Sequence, residues 1–157
     1  MQKIKTRGKK LYGFRKTLPA RALLWVFMIL WVPVMATEVT VYRTPDCGCC
    51  GKWAEHLEQA GFDVTLRSMQ TVAPLKAQLG VPRELQSCHT AEVEGYVIEG
   101  HVPAVDIRRL LQERPSARGL AVPGMPIGSP GMEMGSRKDA YEAILFGAEP
   151  SSIFATH

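Results

Sequence analysis

Thr44-Pro-Asp-Cys47-Gly-Cys49-Cys50-Gly-Lys-Trp53 is the stretch from which the rest of the chain takes its meaning. Three of the chain's four cysteines fall within residues 47–50. Cys47 and Cys50 form a C-x-x-C pair, with Cys49 as a third thiol between them. Ahead of them, Glu-Val-Thr-Val-Tyr over residues 38–42 alternates polar and apolar side chains and predicts a strand. Behind them, residues 51–60 predict a helix on which Cys50, Trp53, Leu57 and Ala60 form one apolar stripe. That stripe puts Cys50 on the inward face and leaves Cys47 and Cys49 in the loop. Pro45 and Asp46 make the turn, and Thr44 or Asp46 is the expected helix cap. His56 lies off the stripe and is expected on the solvated surface.

The orphan N–H groups at a helix start, and the positive end of its dipole, favour thiolate over thiol. Thiolates so placed exchange electrons or hold a soft metal. An inert disulfide of an exported protein is the structural alternative, but it accounts for two of the three cysteines.

The formal charge of +4 on 157 residues is unevenly spread. Residues 1–36 carry Lys3, Lys5, Arg7, Lys9, Lys10, Arg15, Lys16 and Arg21 and no acidic residue. Without them the remaining 121 residues are net acidic, which argues against a nucleic-acid partner. The basic segment is followed by the apolar run 22–32, which is 11 residues long. A spanning helix needs roughly 20. Pro33 and the small or apolar Val34-Met35-Ala36 then complete the pattern of an export signal, with the membrane met only during export. Residues 1–36 are therefore expected to be removed, leaving 37–157 as one domain outside the cytoplasm.

Beyond Gly61, residues 62–68 predict a second strand, parallel to the first through a right-handed crossover. Thr71 caps a second helix to Leu79. Ser87-Cys88-His89-Thr90 then leads into a hairpin over residues 91–100, turning at Glu94-Gly95. A third helix is expected over 104–114, with Val105, Leu110 and Leu111 largely inward. Residues 120–135 hold Gly124, Gly128, Gly131, Gly135, Pro123, Pro126 and Pro130 and predict a loop. Met125, Met132 and Met134 do not suit a solvated linker. Residues 141–146 and 152–155 are short apolar runs that suit a closing hairpin, although the first suits a helical turn equally well. A strand delivering C-x-x-C to a helix start is the thioredoxin-type arrangement. The expected class is thus α/β: a thioredoxin-like mixed central sheet flanked by helices, with a Gly/Pro/Met-rich C-terminal loop.

Thr-Pro-Asp-Cys-Gly-Cys-Cys-Gly-Lys-Trp53, Ser-Cys-His-Thr90, Gly-Tyr-Val-Ile-Glu-Gly-His-Val-Pro-Ala104 and Gly-Met-Pro-Ile-Gly-Ser-Pro-Gly-Met132 together resemble the CopG-like periplasmic copper-resistance proteins. The resemblance spans nearly all of residues 38–155. It implies a thioredoxin-like fold, a periplasmic location, a role in copper handling and resistance, and copper held by the cysteine motif with the distal cysteine.

The residue chemistry points the same way. In a thioredoxin-like fold the loop before the hairpin faces the C-x-x-C turn, and it usually carries a cis-proline. Here Cys88-His89-Thr90 stands in that place. Soft thiolate and thioether donors select Cu(I). A tetrahedral zinc site also accepts four thiolates, but Cys47, Cys49 and Cys50 are crowded for one zinc and bridge several Cu(I) ions more naturally. The expected metal set is Cys47, Cys49, Cys50, Cys88, His101, Met125 and Met132. His89 serves equally well as a structural group, and Met134 is the weakest candidate. Copper ions and other periplasmic copper-handling proteins are the expected partners. The competing function is a thiol–disulfide or copper oxidoreductase using Cys47 and Cys50.

Overall fold

The computed structural model describes residues 35–148 and 150–157; the expected export signal lies almost wholly outside them. Ala36–His157 forms one compact unit. Its frame is a seven-stranded mixed sheet in the order β2-β1-β3-β4-β5-β6-β7. Strand β1 (Glu38–Arg43) runs into α1 (Gly48–Gln59), which returns to β2 (Asp63–Ser68), parallel to β1. Helix α2 (Ala73–Gln78) and a 3-10 turn (Arg83–Leu85) lead to the antiparallel hairpin β3 (Thr90–Val93) and β4 (Tyr96–Glu99). Its two turn residues, Glu94 and Gly95, have φ of 43° and 87°, the backbone of a tight hairpin turn whose twist matches its strands. Helix α3 (Ala104–Glu113) crosses over to β5 (Gly119–Ala121), parallel to β4, and the hairpin β6 (Glu142–Phe146) and β7 (Ser152–Thr156) closes the sheet.

Alternation along the strands divides the core between the two faces of the sheet. Val39, Val41, Ala91, Val93, Ile98, Leu120 and Ala143 pack with Trp53 and Leu57 of α1 and Ile107 and Leu110 of α3. Val97, Ala121 and Phe146 point the other way, onto Val81 and Leu85. β1 and β4 end, and β3 begins, at one edge of the sheet. The start of α1 sits there too, so four elements converge on one place.

Several expectations are revised by this arrangement. Residues 120–135 are not wholly loop, because Leu120 and Ala121 belong to the buried strand β5. That strand starts on a glycine for a steric reason: a Cβ on Gly119 would lie 1.7 Å from the Val97 carbonyl oxygen. On α3, Val105 faces solvent while Asp106 and Ile107 are buried. The cap of α1 is Cys47, with no side-chain hydrogen bond from Thr44 or Asp46, and Cys49 lies within the first turn of α1 rather than in the loop. The cap of α2 is Val72, with no side-chain cap hydrogen bond, rather than Thr71, whose Oγ1 accepts the Ala73 N–H at 3.3 Å from one position further out. His56 is not a free surface group. Its Nε2 accepts the Ala104 N–H at 3.1 Å, satisfying one of the orphan donors at the start of α3. Among the described residues, no helix is long and apolar enough to cross a membrane.

Candidate metal centre

The cysteine turn is held by backbone acceptors around Arg43. Its Nη1 donates to the carbonyl oxygens of Pro45 at 3.2 Å and Cys47 at 3.0 Å, and Cys47 N–H donates to Thr44 O at 3.2 Å. Cys50 is buried with Trp53, Ala54 and Leu57 on the inward face of α1. Trp53 Nε1 donates to Val102 O at 2.8 Å, tying α1 to the approach to α3.

Cys47 and Cys50 are joined as a disulfide, and Cys49 and Cys88 are free thiols. Cys88, delivered by the segment before β3, reaches the turn from the opposite side. Its Sγ lies 3.6 Å from Cys50 Sγ and 3.9 Å from Cys49 Sγ, while Cys47 and Cys49 are 3.6 Å apart. All four sulfurs lie within 4.8 Å of one another. A second group shares Cys88: its Sγ is 3.2 Å from both His89 Nδ1 and His101 Nε2. The sequence expectation that Cys88 faces the C-x-x-C turn thus matches the geometry.

The two imidazoles differ in readiness. His101 Nδ1 is 2.8 Å from Pro130 O. A carbonyl only accepts, so Nδ1 carries the proton and Nε2 of the neutral ring turns its lone pair toward Cys88, the outer-partner pattern common to metal-binding histidines. His89 is fully buried between Trp53 and His101, with ring centroids 4.4 Å and 5.0 Å away, and its Nε2 has no hydrogen-bond partner among the described residues. Burial, and then the neighbouring Cys49, pushes the Cys88 thiol up to about 12. A metal ion taken up there must displace that proton.

The methionines separate. Met125 and Met134 are 53% and 62% exposed, whereas Met132 is half-buried. Met132 belongs to the turn of residues 128–132, closed by Met132 N–H to Ser129 O at 2.8 Å and Gly128 N–H to Met132 O at 3.0 Å. Gly131 of this turn lies directly on α1: a Cβ there would sit 2.8 Å from both Cys49 O and Trp53 N. Pro130 and Gly131 are site-building residues that spacing did not reveal. Their signal was the clustering of Gly-Ser-Pro-Gly-Met in a segment otherwise read as loop.

Burial lowers the pKa values of His56, His89 and His101 below the ordinary 6.5; for His89 the charges of His101 and Lys76 add to the effect. In the metal-free fold these rings stay neutral where the unfolded chain takes up protons. A depressed folded value means that stability is intact above 6.5 and is lost as the pH falls below it. The thermal midpoint of the metal-free protein is therefore expected to fall between about pH 7.5 and about pH 5.5. A flat or rising midpoint over that interval would contradict the buried neutral rings.

The family described as a protein of unknown function, DUF411, matches residues 85–132. Two solved structures of copper resistance protein CopG are similar over almost their full lengths. Form 2 is 44% identical, with a TM-score of 0.75, covering 78% of this chain and 99% of that one. Form 1 is 45% identical, with a TM-score of 0.74, covering 78% and 98%. The chain belongs to the CopG family of copper resistance proteins. No curated protein matches it. In this CopG family member the matched stretch 85–132 contains Cys88, His89, His101, Met125 and Met132, and the fold brings the cysteine turn, which lies outside that stretch, onto Cys88.

Proposed function

We propose that this CopG family member is a periplasmic copper-binding protein of copper homeostasis and resistance, holding more than one Cu(I) ion as a thiolate cluster. The observation that carries this reading is the approach of the Cys47, Cys49, Cys50 and Cys88 sulfurs to within 4.8 Å of one another. The donor set fits a soft ion: four thiolates, with His101 Nε2 and the thioether of Met132 as the next candidates and Met125 at the entry. The βαβ unit followed by the β3–β4 hairpin is taken as thioredoxin-like, with Cys88 opposite the C-x-x-C turn. Copper would pass to and from other periplasmic copper-handling proteins.

The Cys47–Cys50 disulfide must open first, by exchange with an external dithiol that supplies the two electrons and two protons and leaves as its own disulfide. That disulfide also favours the second reading, an oxidoreductase in which Cys47 and Cys50 exchange electrons. Anaerobic Cu(I) titration of the reduced and the disulfide forms, with a disulfide reductase assay on the same protein, separates the two. The reduced form is expected to take up more than one Cu(I), and the disulfide form fewer. A stoichiometry of one, or zinc winning in direct competition, would sink the cluster.

The location rests on residues 1–36 as a removable export signal. N-terminal sequencing of the periplasmic protein is expected to begin at or near Thr37. Intact Met1 in a membrane fraction would make residues 22–32 an anchor instead.

A further inference from the structure

A buried ion pair, Lys76 with Glu99, lies beside the cysteine site, on the other face of the sheet. Lys76 comes from the last turn of α2 and Glu99 ends β4; their side chains are 6% and 0% exposed. Lys76 Nζ donates to Glu99 Oε1 at 2.5 Å and to Thr90 Oγ1 at 2.8 Å. Glu99 Oε1 also accepts the Ser87 N–H at 2.6 Å, and Glu99 Oε2 accepts the Thr90 hydroxyl at 2.6 Å.

A buried ion pair is weak evidence for stability, because well-packed apolar residues often do as well or better. What the pair does is better read from its remaining partners. Ser87 and Thr90 bracket Cys88 and His89, and one carboxylate grips both ends of that four-residue segment. The Gly100 N–H adds a third hold, on His89 O at 3.1 Å. Loop backbone has two soft dihedrals per residue, so a thiol carried between two untethered ends would sample positions well beyond the 3.6 Å and 3.9 Å separations from Cys50 and Cys49.

We propose that Lys76 and Glu99 are positioning residues for the cysteine site: the Glu99 carboxylate, oriented by Lys76, clamps residues 87–90 and fixes Cys88 against Cys49 and Cys50. This rests on Cys88 being a ligand for its effect on copper, but not for its effect on the thiol itself.

Two double variants test it. Lys76→Met with Glu99→Leu removes the pair, the grip and both charges together. Lys76→Met with Glu99→Gln removes the charges but keeps an oxygen for the Ser87 N–H and offers an amide hydrogen to Thr90 Oγ1. In the disulfide form, iodoacetamide labelling of Cys88 and Cys49 is followed separately by peptide mass mapping, alongside the thermal midpoint. General loosening would speed both thiols; loss of the clamp speeds Cys88 relative to Cys49. The Leu variant is expected to show that selective rise and, when reduced, to lose about 10- to 100-fold in Cu(I) affinity, the scale for losing an outer-shell partner. The Gln variant is expected to fall between wild type and the Leu variant, because its amide keeps both links while the Lys76 that orients them is gone.

A Leu variant that folds with the wild-type labelling ratio overturns the proposal. So does a Gln variant as impaired as the Leu variant, since charge rather than position would then be what matters. If the Leu variant does not fold, Thr90→Val cuts one of the two links with the ion pair intact, and an unchanged labelling ratio there overturns the proposal equally. A wild-type protein that fails to bind Cu(I) would remove the copper function, while the labelling ratio would still decide the clamp.

Discussion

Cys88→Ser is expected to lower the Cu(I) affinity of the reduced protein by more than the roughly 10- to 100-fold that losing an outer-shell partner costs. Cys88 is the hub of the site: its sulfur lies 3.6 Å from Cys50, 3.9 Å from Cys49, and 3.2 Å from a nitrogen of each of His89 and His101. Serine puts a hard oxygen where a soft donor stood, with little change in volume. The fold should tolerate it, because the hold on residues 87–90 runs through the Ser87 N–H, the His89 carbonyl and the Thr90 hydroxyl, none of which is touched. The thermal midpoint of the metal-free protein should therefore stay near wild type.

The same variant separates the two functional readings. Cys47 and Cys50 both remain, so an oxidoreductase that depends on their disulfide keeps its nucleophile and its resolving thiol. Cu(I) affinity, copper tolerance of cells and disulfide reductase activity are to be measured together on one preparation. Loss of copper binding and tolerance with reductase activity retained places Cys88 in the metal set. Undiminished copper binding in a folded protein would make Cys88 a half-buried small hydrophobe.

Much of this site was legible in the sequence because its chemistry is carried by rare residues in local runs. The strand, cysteine turn and helix stand in order over some twenty residues, and the stripe of Cys50, Trp53 and Leu57 fixes which thiol faces inward. The Glu94-Gly95 turn likewise fixed the hairpin that presents Cys88. What escaped was whatever depends on long-range contact. Lys76 looks like an ordinary charge on a short helix until Glu99, 23 residues away, takes it inside. His56 looks solvated until the start of α3 docks on it. Strand β5 has three residues in a glycine- and proline-rich stretch, too short for alternation to register, and it exists because β4 and β6 flank it. The methionines show the limit of composition: all three lie in one segment, yet only Met132 belongs to the turn that packs on α1.

Gly131→Ala is expected to disturb the site from that turn without altering any candidate ligand. Gly131 has φ of +83°, and the added methyl would lie 2.8 Å from Cys49 O, 2.8 Å from Trp53 N and 3.2 Å from Trp53 Cα. Those atoms are backbone of α1 and cannot swing aside, so residues 128–132 must lift from the cysteine turn. Left-handed backbone on an alanine costs roughly 1–2 kcal/mol, and forced overpacking adds about 1–3 kcal/mol. Lifting the turn also withdraws Pro130 O, which holds the proton on His101 Nδ1 and aims Nε2 at Cys88. Cu(I) affinity should therefore fall along with the thermal midpoint. Gly124→Ala is the matched control: its φ is +68°, but nothing lies within 4 Å of the added methyl, so it carries the backbone strain without the overlap. Gly131→Ala should be the more destabilised of the two and the weaker in Cu(I) binding. Equal losses in both would show that the packing of residues 128–132 on α1 does not shape the metal centre.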